Sequence, residues 1–125
     1  MKKILTLLCF GIATIFSVQA QQKNAKATLE VDGVCNSCKA RIEKASLGVK
    51  GVKYANWNVG THQLSLILDE RKTSVEQVQQ AIAKSGHDNR IPNTDKVVIA
   101  KEEDYNGVAA CCKYRDEEVV KNHPK

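Results

Sequence analysis

Residues 29–42, Leu29-Glu30-Val31-Asp32-Gly33-Val34-Cys35-Asn36-Ser37-Cys38-Lys39-Ala40-Arg41-Ile42, hold the change of hydrophobic period that decides the fold. Upstream of Asp32 the chain alternates. Ala27, Leu29 and Val31 stand against Thr28 and Glu30, the pattern of a half-buried strand. Downstream the spacing lengthens. Cys38, Ile42, Ala45 and Val49 recur at intervals of four, three and four, with Lys39, Arg41, Glu43 and Lys44 on the other faces. That is an amphipathic helix over about residues 37–47, ended by Gly48 and Gly51. The two cysteines therefore sit where a strand turns into a helix.

Working outward, residues 52–59 read as a second strand, with Ala55, Trp57 and Val59 on one face. Gly60-Thr61-His62 forms a hairpin turn, and Leu64, Leu66 and Leu68 alternate in a third strand. Thr73 and Glu76 have capping-box spacing ahead of a helix marked by Val78 and Ile82, and Gly86 closes that helix. Pro92 breaks any strand locally, and residues 96–100 are the expected last strand. The order is βαββαβ. The predicted fold is α+β: a ferredoxin-like sandwich with two helices on one face of a four-stranded antiparallel sheet, followed by a C-terminal extension. The expected organisation is a signal peptide at 1–20, a flexible lead-in at 21–26, a domain at 27–100 and an extension at 101–125.

The start of the chain carries the signs of export. Lys2 and Lys3 precede an apolar run from Ile4 to Val18, and Val18-Gln19-Ala20 resembles a signal peptidase site. The run is short for a membrane span, although an uncleaved anchor is the alternative. Cys9 lies inside it and receives no role. Cleavage removes two bases and no acids, leaving 17 bases, 14 acids and a formal charge of +3. No basic run with interleaved aromatics occurs, so nucleic-acid binding has no support. The mature protein is expected to be periplasmic or secreted, with no membrane span.

Four cysteines then remain, in two tight pairs: Cys35 with Cys38, and Cys111 with Cys112. Pairing of this kind favours chelation or redox chemistry over a set of disulfide staples, which stays as a third reading. In the first pair, Cys38 falls in the opening helical turn. Free N–H groups and the helix dipole there favour a thiolate. Thiolates are soft ligands. Two of them cannot complete a tetrahedral zinc site, so they point to a low-coordinate ion such as Cu(I) or Hg(II), with Zn(II) requiring further ligands. The alternative is a thiol-disulfide oxidoreductase using the same CxxC. Against it, no Trp precedes the first Cys, and the motif opens a short β-α-β-β-α run rather than a longer α/β unit.

The combination Leu29-x-Val31-x-Gly33-x-Cys35-x-x-Cys38, Ile42-Glu43-Lys44, Gly51-Val52, Val78, Ile82 and Gly86 resembles the heavy-metal-associated domain over roughly residues 27–90. That family includes copper chaperones, modules of P-type copper ATPases and periplasmic mercuric-ion binding proteins. The resemblance implies a non-enzymatic carrier, chaperone or scavenger holding its ion with Cys35 and Cys38. It also implies a metal-transporting ATPase or efflux domain as partner. Two departures stand out. Gly33 occupies the place of a core Met that braces the loop, implying a looser or differently packed site. His87 follows the glycine that ends the second helix. It is either a third ligand or hydrogen-bond partner of a thiolate, or a solvated loop residue.

Cys111 and Cys112 lie outside the family span. On a strand, adjacent side chains diverge. The pair either folds back to add a third or fourth thiolate, or forms disulfides with the CxxC, or is incidental to a tail anchored by Val108, Ala109 and Ala110. Lys39, Arg41 and Lys44 either steer an acidic partner to the site or form an ordinary solvated face.

Overall fold

The computed structural model describes residues 20–123, so the expected signal peptide, Cys9 included, falls outside the described residues apart from Ala20. Strand β1 (Ala25–Val31) runs into helix α1 (Asn36–Leu47), followed by β2 (Val52–Trp57), β3 (Gln63–Leu68) and helix α2 (Val75–Lys84). Two-residue strands β4 (Asn89–Arg90) and β5 (Val97–Val98) come next, then α3 (Glu102–Asn106), a 3-10 turn at Ala110–Cys112 and α4 (Glu117–Lys121). The strands pair antiparallel in the order β2-β3-β1-β4-β5. Helix α1 lies over β2, α2 lies over β4 and β5, and the helices touch each other. This is the ferredoxin-like sandwich, with one strand more than expected.

The extra strand corrects the position of the sheet edge. Pairing with β1 falls to Asn89–Arg90, before Pro92, while Val97–Val98 adds outside it. Arg90 anchors the pairing through ion pairs to Glu30 and Asp32 at 2.8 and 3.0 Å. The helix cap also moves by one residue. Ser74, not Thr73, is the N-cap, and its hydroxyl accepts from the Gln77 N–H, while Thr73 donates to the Gln77 side chain. At the other end Gly86 adopts φ +100°, and the His87 and Gly86 N–H groups return to Ile82 and Ala83. These are the two bonds of a Schellman closure.

The core is formed by Leu29, Val31, Ile42, Trp57, Leu64, Leu66, Leu68, Val78 and Ile82, all at most 2 % exposed. Three residues of the extension join it: Tyr105, Val108 and Cys112. The extension is thus a folded cover, anchored at Val108 as expected and secured by a clasp. The Tyr114 hydroxyl donates to the Gly86 carbonyl at 2.7 Å and accepts from the Asp88 N–H at 2.9 Å. Arg115 pairs with Asp88 at 2.8 Å, donates to the Ala100 carbonyl and lies 4.2 Å above the Tyr105 ring. A side chain at Gly86 would run into Val108, so the close approach of α3 needs that glycine. Among the described residues no helix is long and apolar enough to cross a membrane.

Candidate metal centre

Cys35 is the N-cap residue of α1, with extended backbone at φ −143°, and its carbonyl accepts the first helical bond from Lys39. No side chain forms a cap bond there, so the opening N–H groups of the helix face the sulfur. Partial burial is the largest single influence on the Cys35 thiol and pushes it up. The N–H groups of Cys38 and Ser37, with the thiols of Cys111 and Cys38, together outweigh it and bring the group to about 7. Cys38 is fully buried, and burial holds its thiol above the ordinary value, although its sulfur accepts from the Val34 N–H at 3.4 Å. One sulfur is therefore poised as a thiolate at the rim, and the other is a protected thiol below it.

The packing around Gly33 resolves the first family departure. A Cβ at this position would stand 2.9 Å from Trp57 Cη2 and 3.1 Å from Cys38 Cβ. The indole of Trp57 fills the space a Met would use. It is fixed there by Nε1 bonds to the Val31 and His62 carbonyls, both 3.1 Å, and by stacking on His62. The loop is packed differently, not loosely.

The cover places its thiols at the same corner. The sulfurs of Cys35, Cys111 and Cys112 all lie within 4.8 Å of one another. The Cys35 thiol also reaches the Cys111 carbonyl at 3.6 Å, while Cys38 is not one of the grouped sulfurs and lies with Cys112 in the core beneath them. Cys112 is buried, and burial, followed by Cys38, pushes its thiol strongly upward. All four cysteines of the described residues are free. The 3-10 turn explains why neighbours that would diverge on a strand converge here.

His87 is not among the residues whose ligand atoms group with these sulfurs. It is fully buried and stacked on Tyr114 at 5.4 Å, and burial holds its imidazole below the ordinary value. Its Nδ1 lies 2.8 Å from the Asp32 carbonyl, so it ties the end of α2 to the cysteine loop, and its Nε2 has no hydrogen-bond partner among the described residues. It is no solvated loop residue. Two of the three basic residues of α1 are also committed. Lys39 bonds Glu43, Asn56 and the Trp57 carbonyl, and Arg41 donates to the Ser85 carbonyl at the end of α2. Lys44 alone of the three is exposed.

A sequence model of the heavy-metal-associated domain matches residues 28–88. The copper chaperone CopZ of Staphylococcus aureus is 36 % identical over 61 residues, 48 % of this chain and 90 % of that protein. The chain belongs to the heavy-metal-associated domain family. Solved structures agree. Oxidised MerP from Ralstonia metallidurans CH34 aligns with TM-score 0.53 and 30 % identity, over 56 % of this chain and 99 % of that one. The Cu(I)-loaded N-terminal domain of a potential copper-translocating P-type ATPase from Bacillus subtilis aligns with TM-score 0.53 and 25 % identity, over 60 % and 96 %. The family match ends at Asp88, before the clasp residue Tyr114 and both cysteines of the cover. No periodic signal marks the clasp in the sequence; only the adjacent thiols drew attention to the segment.

Proposed function

We propose that this heavy-metal-associated domain is an exported carrier or scavenger of a soft metal ion, Cu(I) above all, taken up as cargo by the thiolates of Cys35 and Cys38. The observation that carries the reading is the Cys35 sulfur at the N-terminus of α1, held near 7 beside a second thiol of the same turn. A half-ionised rim thiol captures a thiophilic cation at neutral pH, and binding displaces the proton of its partner. The similarity to a copper chaperone and to a Cu(I)-loaded ATPase domain supports copper over Hg(II) or Zn(II). A metal-transporting ATPase or efflux domain is the fitting recipient. Residues 1–20 act as a cleaved signal peptide that delivers the chain to the periplasm or beyond the cell. The comparisons lend no support to a thiol-disulfide oxidoreductase.

The test is anaerobic addition of Cu(I) to the reduced protein, read by native mass spectrometry, beside an insulin-reduction assay. One Cu(I) per chain and background reductase activity are expected. No uptake together with rapid insulin reduction overturns the carrier.

A further inference from the structure

Resting on that carrier reading, we propose that Cys111 and Cys112 are ligands of the same centre. The ion is then enclosed by at least three thiolates and retained for as long as the extension stays docked. Two metal–sulfur bonds of about 2.3 Å span at most about 4.6 Å. The sulfurs of Cys35, Cys111 and Cys112, mutually within 4.8 Å, therefore need only a slight contraction to share one ion. Cys112 and Cys38 are both buried members of the core beneath this corner, and Cys35 and Cys111 pack against it, so the two pairs meet in one cluster.

The cover is docked mainly by groups other than its thiols, although Cys112 packs in the core, and no cysteine of the described residues is tied up in a disulfide. Tyr114, Arg115 and Val108 hold it against Gly86, Asp88 and Ala100, leaving the sulfurs available as donors. Cys111 and Cys112 arrive on a folded element, so little chain ordering is required when an ion enters.

Coordination number decides what the site does. A two-thiolate ion has open positions through which an incoming thiolate attacks. A third sulfur fills one of them, and a fourth closes the site as in structural zinc centres. Cys38 and Cys112 are also fully buried, out of reach of a competing ligand. The ligand class is a soft cation, Cu(I) first, held by donors that deprotonate to solvent as it enters. Release then requires undocking of the extension.

The experiment uses the full mature chain loaded anaerobically with Cu(I). X-ray absorption gives the sulfur count, and transfer to bathocuproine disulfonate gives the exchange rate. Wild type is expected to show three or more sulfurs. Cys111→Ser/Cys112→Ser is expected to show two, and to release copper at least tenfold faster. Near-UV circular dichroism checks that the double variant keeps its packing. Arg115→Gln, which opens the clasp without touching a sulfur, is expected to speed release as well, so the proposal does not depend on folding of the double variant. Two sulfurs in wild type, or equal release rates in all three proteins, overturn the enclosure and leave the carrier standing. Absence of Cu(I) uptake by every protein overturns the carrier reading itself.

Discussion

Replacing Gly33 by the family's Met tests whether Trp57 has taken over the bracing of the cysteine loop. The backbone at Gly33 is not in the positive-φ region, so any penalty comes from space alone. A Cβ would stand 2.9 and 3.0 Å from two Trp57 ring carbons and 3.1 Å from Cys38 Cβ. Carbon atoms pack best at about 3.5–4.0 Å, so the ring must retreat by about half an ångström or more. Retreat stretches the two Nε1 bonds that hold the indole, each contributing about 1 kcal/mol. Overpacking of this kind costs about 1–3 kcal/mol, and the anchored ring places Gly33→Ala near the middle of that range and Gly33→Met at its top. Denaturant midpoints read the loss, and for a domain of this size it lowers Tm by roughly 4–8 °C per kcal/mol. The decisive measurement is a double-mutant cycle with Trp57→Leu. Shrinking the ring should open room for Met and reduce its penalty, giving a favourable coupling above about 1 kcal/mol. Additive effects, or Gly33→Ala within about 0.5 kcal/mol of wild type, would refute the reasoning.

Tyr114→Phe removes the hydroxyl shared by Gly86 and Asp88. A loss of about 1–3 kcal/mol in docking of the extension is expected, seen as faster amide exchange at Asp88 and faster alkylation of Cys112. Alkylation of apo-protein by iodoacetamide should rise with pH through a midpoint of about 7 at Cys35, because only the thiolate reacts, while Cys38 and Cys112 stay protected well above it. A common midpoint for all three would contradict the assigned electrostatics. His87 is held neutral by burial, so the folded state resists a proton that the unfolded chain accepts at about 6.5. Stability should therefore fall as pH drops from about 7 towards 5, and His87→Gln should flatten that slope in denaturant titrations, whatever its effect at pH 7.

The sandwich was legible because its signals are local. The alternation through Leu29 and Val31, the longer period through Cys38 and Ile42, and the alternating leucines of β3 each report one buried face. The final strand, Val97–Val98, lies inside the expected 96–100, but β4 went unread because its pairing depends on partners distant in sequence. Two residues suffice for β4 when Arg90 bridges to Glu30 and Asp32, and so short a run has no period to read. Cys35 and Cys38 were visible as a corner motif, but the convergence of Cys111 and Cys112 on it was only one of several possibilities. It depends on Tyr114 and Arg115 reaching residues 26–28 positions away in the chain. His87 was noticed for its place beside Gly86. Its burial beneath Tyr114 follows from the same cover and could not be read locally. Lys39 and Arg41 looked like a solvated face, yet they tie α1 to β2 and α2, contacts that only the assembled layers create.

Competition for Cu(I) between bathocuproine disulfonate and the reduced protein, wild type against Cys35→Ser, tests the strand-to-helix corner most directly. One tightly held Cu(I) per wild-type chain, and at least a hundredfold weaker binding once the Cys35 sulfur is gone, is the predicted result. Undiminished affinity in Cys35→Ser would mean that the ion is held elsewhere and would contradict the account.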